Sequence, residues 1–69
     1  MQPIENQLKQ ARRAKAELEE AVISNLAEGH FFVGQPKLIY EAMSHEQRNK
    51  SRALDGAIAE LERYDRMFS

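Results

Sequence analysis

Apolar residues recur at every third or fourth position in the first part of the chain. The series runs through Ile4, Leu8, Ala11, Lys15, Leu18, Val22 and Asn25, flanked by Ala14, Ala21, Ile23 and Leu26. This spacing is typical of one face of an amphipathic helix. Pro3 suits a first helical turn, Glu5 complements the helix dipole, and Gly29 predicts a left-handed residue that ends the helix. The pattern predicts helix 1 over about residues 3–28.

A second series with the same period fills the later part of the chain. It comprises Tyr40, Met43, Gln47, Lys50, Leu54, Ala57, Leu61, Tyr64 and Phe68, with Ala53 and Ile58 widening the stripe. Pro36 fits a first helical turn, so helix 2 is predicted over about residues 37–68. Residues 44–52 are all polar and contain a capping-box pattern from Ser44 to Gln47. Two interpretations stay open: one continuous helix, or a short helix, a turn and a longer helix.

The segment between the helices, residues 29–36, is an apolar stretch bounded by glycines and a proline, with the sequence GHFFVGQP. It predicts the corner of an antiparallel helical hairpin, so the predicted fold class is all-α, with one domain over residues 1–69. The apolar side chains of this segment, Phe31, Phe32 and Val33, either cover the end of the core or are exposed as a contact for a partner.

Folding the hairpin at this corner pairs positions whose numbers sum to about 65. Leu8 then lies near Ala57, and Ala11 lies near Leu54. The same register puts Lys15 beside Lys50, which is incompatible with a dry core at that level. Either helix 2 breaks there, or the layer opens to solvent or to a partner.

Chain length favours self-association. A domain near 69 residues buries only roughly 60% of its unfolded surface, and the chain has no cysteine for a disulfide or a thiolate metal site. We therefore expect a homodimer in which two hairpins form a four-helix bundle. The residues expected in the core or the dimer interface are Leu8, Ala11, Leu18, Val22, Leu54, Ala57, Ile58, Leu61 and Tyr64.

The sequence contains no recognisable catalytic or metal-binding motif. His30 and His45 lack zinc-ligand spacing, and Ser44 beside His45 is not a nucleophile and base pair, since adjacent helical residues point in different directions. We expect no enzyme activity, no cofactor and no metal. The longest apolar runs have three residues, so we expect neither a membrane span nor a signal peptide, and a cytoplasmic location.

Charge is more informative within the chain than overall. The net charge of -1 gives no general reason to expect nucleic acid as a partner. In the predicted register, Arg12, Arg13 and Lys15 lie near Lys50 and Arg52 and form a basic belt. This belt is either a binding site or a solvated face with local ion pairs, such as Arg13 with Glu17 and Lys15 with Glu19.

Tyrosine and arginine dominate binding hot spots, which guides the choice of contact residues. Tyr40 lies one turn beyond the corner and is either a contact or a residue of the helical seam. The predicted partner-binding residues are Arg12, Arg13, Phe32, Tyr40, Arg48 and Arg52.

The corner sequence GHFFVGQP and the following Tyr40-Glu41-Ala42-Met43 resemble small early proteins of temperate bacteriophages. The chain is similar in size and layout to phage anti-activators that inhibit quorum sensing by binding a LuxR-type regulator. The resemblance implies a dimeric, non-enzymatic inhibitor that masks the DNA-binding region of a host transcription activator and acts in the host cytoplasm. It also implies the pilus-assembly ATPase as a second host target.

Two classes of function follow. The first is a protein-binding inhibitor. The alternative is a small dimeric helical DNA-binding or nucleoid-associated regulator that uses the basic belt. A duplex titration separates them, because DNA binding weakens steeply as salt rises.

Overall fold

Two long antiparallel helices dominate the computed structural model, which describes residues 3–68. Helix α1 spans Ile4–Ser24, α2 spans Pro36–Ala42 and α3 spans His45–Phe68, with a 3-10 turn at Gly29–Phe32. Helix α1 packs along α3 and also contacts α2. The described residues contain no strand, so the all-α prediction is confirmed. Positions 1, 2 and 69 of the predicted domain lie outside the described residues.

Helix α1 begins immediately after Pro3 and ends at Ser24, four residues before the predicted boundary. The backbone N–H groups of Asn25 and Leu26 close its last turn on the carbonyls of Val22 and Ile23. The prediction that Gly29 adopts a left-handed conformation was wrong. Among the described residues, the glycine with positive φ is Gly34, at 80°.

Gly29 is required for a steric reason instead. It is buried, and a Cβ atom added to it would overlap the backbone oxygen of Ile23 and lie 2.8 Å from the Cγ2 atom of that residue. The chain leaving α1 thus passes too close to the helix end for any side chain at this position.

The polar stretch after Met43 contains the helix break. Helix α2 ends at Ala42 and α3 begins at His45, which is the second of the two interpretations left open by the sequence. The Ser44 N–H donates to Gln47 Oε1 at 2.9 Å, and the Gln47 N–H donates to Ser44 Oγ at 3.2 Å. This reciprocal pair is the capping box predicted from the sequence.

The main core lies near the corner. Val22, Ile39 and Met43 are buried together, and the half-buried side chains around them are Leu18, Ile23, Leu26, Phe32 and Tyr40. Leu8 is buried nearer the other end of α1. On α3 the buried residue is Ser51.

The register between the long helices differs from the predicted one. Lys15 forms an ion pair with Asp55, five positions beyond Lys50, and Arg12 pairs with Glu62. The hairpin folds between the end of α1 at Ser24 and the start of α3 at His45, because α2 belongs to the connection. The predicted contact between Lys15 and Lys50 is therefore absent, and a carboxylate replaces it.

This register also changes the face of α3 that contacts α1. The less exposed residues of its seam are Ser51, Leu54, Ile58, Leu61 and Asp65. Ala57 and Tyr64, which we expected in the core or interface, are exposed in the single chain. They lie on a neighbouring stripe of α3, together with the exposed Lys50 and Phe68. The predicted heptad seam placed residues of both stripes, such as Leu54 and Ala57, on one face of the helix.

Candidate functional site

An open groove of about 410 Å³ runs between α1 and α3. Its lining residues are Ala14, Glu17, Leu18, Ala21, Lys50 and Leu54. The alanines are exposed, whereas Leu18 and Leu54 are half-buried in its floor. The groove is mostly apolar, with one carboxylate and one ammonium group among its lining residues. It is a place where a helix could pack, since alanine lets a second backbone approach closely.

The corner end of the hairpin carries a second apolar surface, here called the elbow surface and defined as Phe31, Val33 and Leu38. The exposed fractions of these residues are 61%, 67% and 39%. Phe31 and Val33 lie at the end of the 3-10 turn, and Leu38 lies in the first turn of α2. Exposed apolar side chains that form one contiguous patch are typical of contact surfaces, and these three lie within eight positions of one another in the chain.

Hydrogen bonds fix the backbone beneath the elbow surface. Gln35 Nε2 donates to the Phe31 carbonyl at 2.6 Å, and the Gln35 N–H donates to the Phe32 carbonyl at 3.0 Å. The His30 and Phe31 rings also lie against each other, with centroids 4.1 Å apart. The exposed phenyl group is therefore held on an ordered turn, which lowers the entropy cost of binding.

The structure separates the aromatic pair of the corner. Phe32, predicted to bind a partner, packs against the core, and its neighbour Phe31 is exposed. Successive residues of a 3-10 turn point about 120° apart, so adjacent side chains cannot both face the core. The sequence left open whether the pair is core or contact, and the structure divides it between the two. The exposure of Val33 and Leu38 had no signal in the periodicity.

Tyr40 and Arg48 form an internal contact and are not both free for a partner. Arg48 Nε donates to the Tyr40 carbonyl at 3.2 Å, and Arg48 Nη2 donates to the Glu41 carbonyl at 2.7 Å. The guanidinium carbon also lies 5.7 Å from the centre of the Tyr40 ring. Arg48 thus ties the last turn of α2 to the first turn of α3. Sequence analysis had assigned it to partner binding and missed this role.

The predicted basic belt does not form as a continuous cationic surface. Arg12 Nη2 lies 3.8 Å from Glu62 Oε1, and Arg13 Nε lies 3.4 Å from Glu17 Oε1. The Lys15 ammonium group contacts the Asp55 carboxylate. The local pair of Arg13 with Glu17 was predicted, whereas Lys15 pairs across the helices and not with Glu19.

Arg52 is the remaining arginine of the predicted contact set. It is exposed and bonds the Asn49 side chain one turn earlier. Acidic groups therefore lie among the cations that were expected to form the belt, and its positive potential is reduced accordingly.

The open end of the hairpin exposes a third group of large side chains: Tyr64 at 41%, Met67 at 67% and Phe68 at 75%. These residues lie in the last two turns of α3, and their spacing places them along one side of the helix. Together with the groove and the elbow surface, they leave apolar atoms exposed along the whole length of the molecule.

No cluster of three or more histidine, cysteine, aspartate or glutamate side chains capable of holding a metal ion occurs between residues 3 and 68. None of the helices in that range combines the length and the hydropathy needed to cross a membrane. No buried polar side-chain atom in that range lacks a hydrogen-bond partner.

Comparison with known proteins adds no relative: no protein-family model matches the chain, and searches of curated proteins and of solved structures return no match.

Proposed function

We propose that the protein is a homodimeric, non-enzymatic inhibitor that binds another protein through the elbow surface. The observation that carries this proposal is the exposure of Phe31 and Val33 on a hydrogen-bonded turn. Exposed aromatic groups held on ordered backbone are the usual anchors of protein interfaces. The resemblance to phage anti-activators supports the same class of function and supplies the target class, a LuxR-type transcription activator in the host cytoplasm.

Homodimerisation is part of the proposal because one chain has a thin core. The buried hydrophobic residues of the described chain are Leu8, Val22, Ile39 and Met43. The radius of gyration is 13.6 Å, whereas a compact domain of this length has a value of about 11 Å. An elongated hairpin with so few buried side chains gains stability when a second copy covers its open face.

In the proposed mechanism, the elbow surface occupies the face of the activator that contacts DNA. The inhibitor then competes with the operator and needs no chemistry of its own. The pilus-assembly ATPase, the second target that the resemblance suggests, would be bound in the same non-covalent way.

The test is a binding assay between the purified protein and a LuxR-type activator, read both by direct titration and by release of labelled operator DNA. Phe31→Ser should weaken binding at least about tenfold, since an anchor of this kind contributes about 2 kcal/mol. Met67→Ser is the matched control, because Met67 is equally exposed but lies at the opposite end of the hairpin. Circular dichroism should show that both variants keep their helices.

Equal binding by Phe31→Ser and the native chain would remove the elbow surface from the proposal. Failure of the native chain to bind any LuxR-type activator would remove the target class.

A titration with duplex DNA at rising salt tests the alternative of a DNA-binding regulator. The three ion pairs that involve Arg12, Arg13 and Lys15 count against that alternative. Tight duplex binding that weakens steeply with salt would favour it instead.

A further inference from the structure

We infer that the groove between α1 and α3 is covered by a second copy of the chain in one particular arrangement. A two-fold axis crosses the hairpin at the level of Ala14 and Ala57. Helix α1 then packs antiparallel to α1 of the second copy, α3 packs antiparallel to α3, and the two elbow surfaces lie at opposite ends. This inference rests on the proposed homodimer and specifies its geometry.

The exposed area of the single chain is large enough to supply such an interface. The chain exposes 5447 Å² and has a mass of 8.0 kDa. A folded monomer of that mass exposes roughly 4,400 Å². The excess, about 1,000 Å², is close to the roughly 800 Å² that each partner buries in a standard stable interface. One copy of the same hairpin is therefore an occupant of suitable size.

The positions of small residues fix the level of the axis. Ala14 is the middle residue of α1, which spans Ile4–Ser24, and Ala57 adjoins the midpoint of α3, which spans His45–Phe68. The ion pair between Lys15 and Asp55 places these midpoints at the same height on the hairpin. A two-fold axis at this height lets each helix overlap its own copy along its full length.

Both midpoint residues also lie on the open face. Ala14 lines the groove and is exposed, and Ala57 is exposed on the stripe of α3 that does not contact α1. Ala21 and Ala53 extend the two small-residue stripes by one or two turns and are exposed as well. Side chains this small let two backbones approach closely where the helices cross.

The charge distribution of α1 favours pairing with itself. Before its midpoint at Ala14 it carries Glu5, Lys9, Arg12 and Arg13, a net charge of +2, and after the midpoint it carries Lys15, Glu17, Glu19 and Glu20, a net charge of -2. Antiparallel packing on a second α1 sets each basic half against an acidic half. The first half of α3 carries three basic and two acidic residues, and the second half carries two basic and three acidic residues. Because these net charges are smaller, the other symmetric arrangement, with α1 against α3 of the second copy and both elbows at one end, offers weaker complementarity.

The pair of Arg13 and Glu17 lies close to the proposed axis. Glu17 lines the groove, and Arg13 Nε lies 3.4 Å from its carboxylate. In the proposed dimer, the two copies bring two such pairs together as an alternating cluster of four charges. Such a cluster fixes the register of the helices more than it adds affinity.

The absence of cysteine from the sequence allows a direct test by single-cysteine crosslinking. Ala14→Cys places a thiol beside its own symmetry mate and should form disulfide-linked dimers at least about ten times faster than Ala16→Cys, since a disulfide needs Cα atoms within about 7 Å. Ala16 is the matched control because it is exposed on the opposite side of α1. Ala57→Cys provides an independent second site and should also crosslink.

The outcomes are distinguishable. Rapid crosslinking through position 14 and position 57, each alone, supports the arrangement. If the native chain sediments as a dimer but Ala14→Cys crosslinks no faster than Ala16→Cys, the antiparallel arrangement is overturned while the proposed homodimer stands. Crosslinking that requires Ala14→Cys and Ala57→Cys together would show the arrangement with both elbows at one end. A native chain that sediments as a folded monomer at micromolar concentration would overturn both the antiparallel arrangement and the proposed homodimer.

Discussion

Replacing Arg48 by methionine should destabilise the connection between α2 and α3. The side chain donates to the carbonyls of Tyr40 and Glu41 in the last turn of α2, where the Tyr40 carbonyl also accepts from the Met43 N–H at 3.1 Å. Methionine keeps the apolar stem of the side chain but removes both donors. A helix of seven residues is not stable on its own, so the loss of this cap affects the packing of Ile39 against the core.

The expected cost follows from the two hydrogen bonds. A bond from a charged donor contributes about 1.5–3 kcal/mol when it is shielded from water and less when it is exposed. The hydrogen bond to Tyr40 is part-buried, and we assign it the lower value of about 1.5 kcal/mol. The hydrogen bond to Glu41 is exposed, and we assign it no contribution to stability. Contact with the Tyr40 ring adds about 0.5 kcal/mol. The sum is about 2 kcal/mol, from a total of roughly 3–10 kcal/mol for a domain of this length.

Urea unfolding followed by circular dichroism measures this cost directly. With a slope near 1 kcal/mol per molar urea, the midpoint should fall by about 2 M. Arg52→Met is the control, because Arg52 is exposed and bonds Asn49 within one turn of the same helix, and it should change stability by less than about 0.5 kcal/mol. All variants must be compared at one chain concentration, since dimerisation would add to apparent stability. Equal midpoints for the Arg48 and Arg52 variants would refute the capping role.

Three further predictions concern two glycines and the capping box. Gly29→Ala should lower the free energy of unfolding by about 2 kcal/mol, because the new methyl group meets the Ile23 backbone. Gly56→Ala should raise the free energy of unfolding by about 1 kcal/mol, because this helical site has open space around it. Thermal melting checks both, and a stable Gly29 variant would contradict the steric argument. Ser44→Ala should cost about 1 kcal/mol by removing the oxygen that accepts the Gln47 N–H. An unchanged melting temperature would show that the box does not stabilise the start of α3.

Local patterns predicted the helices well where one physical cause dominates. The spacing around Leu8, Leu18 and Val22 identified the face of α1 that packs inward, because only one apolar stripe of α1 is wide enough to cover the core. The capping pattern at Ser44 and Gln47 marked the start of α3, since its hydrogen bonds connect residues three apart and need no tertiary contact.

The register could not be predicted in the same way. Helix α3 has two adjacent stripes with heptad spacing, one through Leu54 and Ile58 and another through Ala57 and Tyr64. Which stripe packs on α1 depends on where the chain reverses. That point depends in turn on the close approach of Gly29 to the end of α1, which is a tertiary contact.

The candidate site was predicted least well, for a related reason. Arginine was chosen as a contact residue from its frequency in interfaces, but Arg48 lies four residues into a helix whose start adjoins the end of α2. A long side chain in that position can reach exposed carbonyls of the preceding helix. The exposure of Phe31 was left open, because periodicity does not extend into a 3-10 turn.

The two stripes of α3 give a physical reason to connect the proposed dimer with the proposed inhibition. One stripe is used within the chain, and the other, through Ala57 and Tyr64, stabilises the fold only if a second copy covers it. The elbow surface lies outside both stripes, at the end of the hairpin, so it stays available when the groove is covered. In the antiparallel arrangement the two elbow surfaces lie at opposite ends of a particle at least 43 Å long, the length of a single hairpin. Each dimer would then bind two target molecules without contact between them, and dilution below the dimer dissociation constant would weaken binding, because the single chain has a thin core and the elbow surface depends on the folded turn.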